Sequence, residues 1–140
     1  MDAHSASQDR RGKPVVMIVD DDEELLGELG DVLAAEGFRT IIFSDSVAAS
    51  RSVASVAPDL VLLDLRMPGK SGFELAKEIA GDPATHRVPI LAMSAFDVET
   101  EARGVAPPTG IRKYFAKPLL LDDLLREIRS QLKKTDGRGT

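Results

Sequence analysis

Two short runs in which every side chain is apolar, Val15-Val16-Met17-Ile18-Val19 and Leu60-Val61-Leu62-Leu63, limit how this chain can fold. A strand with one face in water alternates polar and apolar residues. A strand apolar at every position has both faces covered, as when helices lie on both sides of a parallel sheet. Around these runs, short apolar stretches take turns with longer amphipathic ones: 15–19 then 23–36, 40–43 then 47–56, 60–63 then 73–80, 88–93 then a short stretch at 97–103, and 111–116 then 121–134. This alternation predicts five βα units and an α/β fold. The sheet expected is doubly wound, five-stranded and parallel, in the order 2-1-3-4-5, flavodoxin-like, with the first and third strands central.

Helix faces read as core. Leu25, Leu29, Val32 and Leu33 form one stripe in the first helix, with Gly37 placed as its left-handed terminator. Leu124, Leu125, Ile128 and Leu132 repeat the pattern in the last helix, whose basic end, Lys133-Lys134, suits the negative pole of the helix dipole. Residues 1–13 and 135–140 have tail composition, so one domain is expected over 14–134, with no second folded unit after it. The absence of cysteine excludes disulfides, thiolate nucleophiles and zinc-thiolate sites. A net charge of −5 without a basic stripe argues against direct nucleic-acid binding. A polar N-terminus and the lack of any apolar run of membrane-spanning length predict a cytoplasmic protein with no membrane contact.

The acids carry the chemical signal. Asp20, Asp21 and Asp22 follow the first apolar run directly, and Asp64 ends the third. In an open doubly wound sheet, ligands bind outside the carboxyl ends of the strands where strand order reverses, and the first and third strands flank that point. The acids are therefore expected to converge. Clustered carboxylates resist ionising together, and a hard divalent cation removes that cost; an all-oxygen pocket favours magnesium. Asp22, with Glu23 and Glu24, reads instead as a cap for the first helix. Ser94 ends the fourth run, and Lys117, followed by Pro118, ends the fifth. A carboxylate attacking phosphorus needs its own charge and that of the phosphoryl oxygens offset, which a metal, a hydroxyl donor and an ammonium do together.

With these residues in place, the chain resembles the receiver domain of bacterial two-component response regulators, of the stand-alone type, over roughly residues 14–134. The resemblance rests on Val19-Asp20-Asp21, on Pro58-Asp59-Leu-Val-Leu-Leu-Asp64-Leu-Arg-Met67-Pro68 with Gly72 beyond it, on Ser94-Ala95, and on Lys117-Pro118. It implies that Asp64 is the phosphoacceptor and that Asp21 and Asp64 ligate Mg2+ directly. Asp20 would act mainly through a bound water, and the Arg66 carbonyl would complete the protein's share. Ser94 would hydrogen-bond the phosphoryl group, Lys117 would pair with it, the Lys117-Pro118 peptide would be cis, and Tyr114 would be the switch aromatic that follows Ser94. Arg66 and Phe96 flank the site and would tune acyl-phosphate lifetime. The donor would be a sensor histidine kinase or phosphotransfer protein, and the output a downstream protein target. The chain would act as a regulatory domain, not a free-standing enzyme, and as a monomer or weak dimer.

Two departures and two alternatives accompany the resemblance. Gly104, Pro107 and Pro108 should end the helix after the fourth strand early, and Leu120 stands where a polar cap is common, leaving Asp122 as a later cap and a late start for the last helix. An aspartate-nucleophile phosphohydrolase also uses two acids spaced as in Asp20-Asp21-Asp22, but it resembles this chain only there and usually needs a cap or further helices, for which 140 residues with five βα units leave little. A non-phosphorylated pseudo-receiver would be expected to lack part of the acid and lysine set, which is complete here.

Overall fold

The computed structural model describes residues 12–95 and 110–139, with 135–139 described by backbone alone. Its strands are β1 (Val15–Val19), β2 (Arg39–Phe43), β3 (Leu60–Asp64), β4 (Ile90–Ser94) and β5 (Ile111–Ala116). All pair in parallel, in the order β2-β1-β3-β4-β5. The helices are α1 (Glu23–Ala35), α2 (Ser46–Val56), α3 (Gly72–Gly81) and α4 (Leu121–Gly139). The stretch 97–103 and the breakers Gly104, Pro107 and Pro108 lie outside the described residues.

The apolar strands have two dry faces because side chains alternate across a strand. Val16, Ile18, Leu60, Leu62, Leu91 and Met93 pack with Leu26, Leu29 and Leu33 of α1 and Leu124, Ile128 and Leu132 of α4. Met17, Val19, Val61, Leu63 and Ile90 point the other way, onto Ala49 and Val53 of α2 and Leu75, Ala76 and Ile79 of α3. β1 and β3 are central, as their composition requires.

Several expectations are corrected in detail. The inward ridge of α1 is Leu26, Leu29 and Leu33, while Leu25 and Val32 sit half-buried on its flank; an apolar stripe four residues wide does not reveal which ridge faces the sheet. β4 begins at Ile90 and not at residue 88, because Pro89 has no amide to donate and contributes only its carbonyl, which accepts from Val61 N at 3.0 Å. The last helix starts at Leu121, without delay: Leu124 N donates to the Leu120 carbonyl at 3.0 Å, and Asp122 and Asp123 place negative charge in the first turn. The helix backbone then continues to Gly139, past Lys134 where a tail was expected. No proline interrupts 135–139, and each added residue gains a hydrogen bond once the helix is nucleated. Gly37 terminates α1 as expected, with φ at +98° and its amide on the Ala34 carbonyl at 3.1 Å.

Gly72 opens α3 directly against the end of β3. A Cβ there would lie 2.6 Å from Leu65 Cα and closer still to the Asp64 carbonyl oxygen, so only glycine lets α3 approach. Gly27, by contrast, is exposed with open space around its Cα. Gly72→Ala should therefore cost about 3 kcal/mol in urea unfolding, whereas Gly27→Ala should stabilise by roughly 0.5–1 kcal/mol. Equal effects at the two positions would contradict this packing.

Candidate functional site

The register of the sheet builds the site. Val19 of β1 stands opposite Leu63 of β3, which brings Asp20 beside Asp64 one residue further along. That register is pinned at the other end by Asp59: its Oδ2 accepts from Val15 N at 2.7 Å, and its own amide donates to the Val15 carbonyl at 2.8 Å. The sequence marks Asp59 only as part of a block that carries the resemblance; its role as a clip between β1 and β3 comes from the fold.

Three carboxylates meet at the carboxyl rim. One oxygen each of Asp20, Asp21 and Asp64 lie within 4.8 Å of one another, and these three form the described group of acids able to hold a metal ion. Asp20 is fully buried, and its Oδ1 accepts from Asp22 N at 2.9 Å. Asp21 is exposed, and Asp64 is buried with Oδ1 accepting from Arg66 N at 3.2 Å. Asp22 is engaged elsewhere: it caps α1, accepting from Glu24 N at 3.1 Å and Leu25 N at 3.2 Å.

Lys117 crosses from the end of β5 into the acidic cluster. Its Nζ lies 2.7 Å from Asp20 Oδ2 and 3.6 Å from Asp64 Oδ2. The Lys117-Pro118 peptide is cis, as the resemblance implied, and Lys117 N donates to the Ser94 carbonyl at 2.8 Å. Ser94 is buried at the end of β4, the strand next to β3. Tyr114 lies outside this cluster, half-buried on edge strand β5 opposite Ala92, and Arg66 is exposed in the loop after β3. Phe96 falls outside the described residues.

The electrostatics are unbalanced towards negative. Burial, then the charge of Asp20, pushes the Asp64 carboxyl up to about 6, against the pull of the Arg66 amide and Lys117. Burial alone would lower the Lys117 pKa, but its hydrogen bond to Asp20 and the charges of Asp20 and Asp64 outweigh that, so the net shift is upward and the ammonium stays charged. Three carboxylates share one ammonium, and all the donor atoms are oxygens, so the residues present fit a hard divalent cation such as Mg2+.

A doubly wound sheet that gathers acids, a lysine and a buried hydroxyl at its carboxyl rim places them where α/β domains of this class bind their ligands. Residues 16–129 match the family described as response regulator receiver domain. Among curated relatives, the DNA-binding response regulator MtrA of Mycobacterium tuberculosis is 33% identical over 121 residues, covering 86% of this chain and 51% of MtrA. The phosphate regulon regulator PhoB of Rhizobium meliloti is 36% identical over 124 residues, covering 86% and 53%. The chain thus spans about half the length of the curated relatives it matches. Among solved structures, the receiver domain of the sensor histidine kinase PA1611 from Pseudomonas aeruginosa superposes with a TM-score of 0.78 at 26% identity, covering 86% of this chain and 98% of that one, and holds a magnesium ion in its active-site cleft. The signal receiver domain of a modulated diguanylate cyclase from Desulfovibrio desulfuricans gives 0.76 at 29% identity, covering 90% and 98%.

This chain belongs to the response regulator receiver domain family. It is a regulatory domain, a phosphoacceptor switch of two-component signalling, a family that receives phosphoryl groups from kinases. Among the described residues, no helix is long and apolar enough to cross a membrane.

The raised Asp64 pKa has a definite sign. The folded carboxyl holds its proton up to about pH 6, whereas the unfolded one releases it near 4, so folding is favoured by the proton and stability falls as pH rises between those values. In metal-free buffer with a chelator, wild type should lose about 2 kcal/mol relative to Asp64→Asn between pH 4 and pH 7. Parallel stability curves for the two proteins would show that Asp64 is not perturbed.

Proposed function

We propose that Asp64 is the residue phosphorylated and that the rim around it is arranged for that reaction. The observation that carries this reading is that Asp64 is reached from two sides, by the acids at the end of β1 and by the ammonium from β5. A carboxylate oxygen of Asp64 attacks phosphorus in a phosphohistidine of a sensor histidine kinase or phosphotransfer protein, and the phosphorus–nitrogen bond breaks. Lys117 sits nearer Asp20 than Asp64, so it offsets charge in the pocket without tying up the nucleophile.

Bound magnesium supplies positive charge that screens the carboxylate and phosphoryl oxygens from one another. Asp21 and Asp64 would hold it directly, with the Arg66 carbonyl, and Asp20 through a water. Asp20 is the least free to give an oxygen, being buried and already bonded to Lys117 and the Asp22 amide. Ser94 would donate to a phosphoryl oxygen, and Tyr114 would follow it, changing the face of β5 read by a downstream protein target. The added group carries close to two negative charges and three acceptors, and acts only through arrangements it contacts differently.

The setting proposed is cytoplasmic, with the domain acting as a monomer or weak dimer and touching neither membrane nor nucleic acid. The DNA binding in the name of MtrA is not carried over to this span, whose net charge is −5. The phosphohydrolase alternative is disfavoured because Asp22, the second acid it requires, is used as the cap of α1.

Incubation with a small acyl phosphate and Mg2+ should place about one phosphoryl group on each wild-type chain and none on Asp64→Asn. Equal labelling of the two would refute the assignment. After donor removal, an Arg66→Ala, Phe96→Ala double variant should lose its phosphoryl group at a changed rate. An unchanged rate would remove the tuning role given to those side chains.

A further inference from the structure

The loop between β3 and α3, residues 65–71, carries Arg66 on one side and is tied down on the other by side chains the resemblance gives no role. Its ends are closed by the Gly72 amide, which donates to the Leu65 carbonyl at 3.0 Å. Its middle contains Gly69 at φ +76°, a backbone state from which the chain leaves readily unless held. What holds it is Lys70. The buried Ser46 hydroxyl, at the start of α2, donates to the Lys70 carbonyl at 2.6 Å. The Lys70 ammonium forms an ion pair with Glu78 of α3 and reaches Ser50 Oγ of α2 at 3.4 Å. Ser50 closes the triangle by donating to Glu78 Oε1 at 2.7 Å.

Lys70 is therefore bound through backbone and side chain at once, to both helices on that side of the sheet. An exposed ion pair adds little to stability, and Glu78 is half-exposed. A backbone carbonyl latched by a buried hydroxyl is a different matter, because it fixes geometry. The Glu78 carboxyl is held below its ordinary value, first by the Lys70 hydrogen bond and then by Ser50, so the triangle stays charged at neutral pH. The same loop gives the Arg66 amide to Asp64.

We propose that Lys70 is a positioning residue for the phosphoacceptor loop: clamped by Ser46, Ser50 and Glu78, it holds the segment that presents Arg66 beside Asp64 and so sets the affinity of the rim for a divalent cation. This rests on the reading that Asp64 and its loop bind the metal. Groups that orient metal ligands from outside the coordination sphere commonly alter affinity without touching the ion.

Calorimetric titration with MgCl2 at pH 8, well below the unfolding temperature, tests it. The double variant Ser46→Ala, Lys70→Ala, which removes both the carbonyl latch and the ion pair, should bind Mg2+ about three- to tenfold more weakly than wild type, and Lys70→Arg, which keeps both, should stay within about twofold. Amide exchange at Arg66 and Gly69 should be faster in the double variant. Arg129→Ala, which breaks an exposed ion pair to Glu36 at the far end of the domain, should leave Mg2+ binding unchanged. Wild-type affinity in the double variant, with binding still lost in Asp64→Asn, would overturn the clamp alone. Wild-type affinity in Asp64→Asn would overturn the site reading beneath it.

Discussion

Three carboxylates held at one edge of a buried sheet repel each other, and the rest of the structure makes sense as the means of keeping them there. Asp20 and Asp64 are almost wholly removed from water, so neither can spread its charge into solvent. Lys117 answers part of the charge, leaning on Asp20. What remains is a site with surplus negative charge, oxygen donors and an open side at Asp21, suited to a divalent cation and then to a phosphoryl group that brings still more negative charge. An unmet electrostatic demand of this kind makes a domain responsive, because each added ligand changes which arrangement of the rim is lowest in free energy.

Maintaining such crowding needs a stiff support. β1 and β3 are covered on both faces, with Val16 and Ile18 packed towards α1 and α4 while Met17 and Val19 face α2 and α3. Slipping β1 by one residue would exchange these two sets and carry Asp20 away from Asp64, so core packing and site geometry are fixed by the same register. Asp59 reinforces that register from the opposite end. Gly72 then lets α3 close directly onto the last residues of β3, which confines Asp64 from below.

The sheet order, the two central strands and the convergence of Asp20, Asp21, Asp64 and Lys117 were legible because each follows from a strong local signal: unbroken apolarity, or a charged residue at the end of it. The choice of Leu26 over Leu25 as a core residue was not legible, since both belong to one broad apolar stripe and the sheet decides which ridge turns inward. The start of α4 at Leu121 defied its apolar cap because Leu124, Leu125 and Ile128 bury against the sheet whatever residue precedes them. Lys70, Ser46, Ser50 and Glu78 carry no pattern in the sequence that would join them; contact between α2, α3 and the loop between β3 and α3 turns them into a network.

Proton release on magnesium binding tests the crowding most directly. If burial and Asp20 hold the Asp64 carboxyl near 6, Mg2+ must displace its proton on binding, and calorimetry at pH 6 in buffers of different ionisation enthalpy should register about half a proton per ion, falling towards zero at pH 8. Binding at pH 6 with no proton released, or with the same release at both pH values, would mean that Asp64 does not carry the strain on which this description of the site depends.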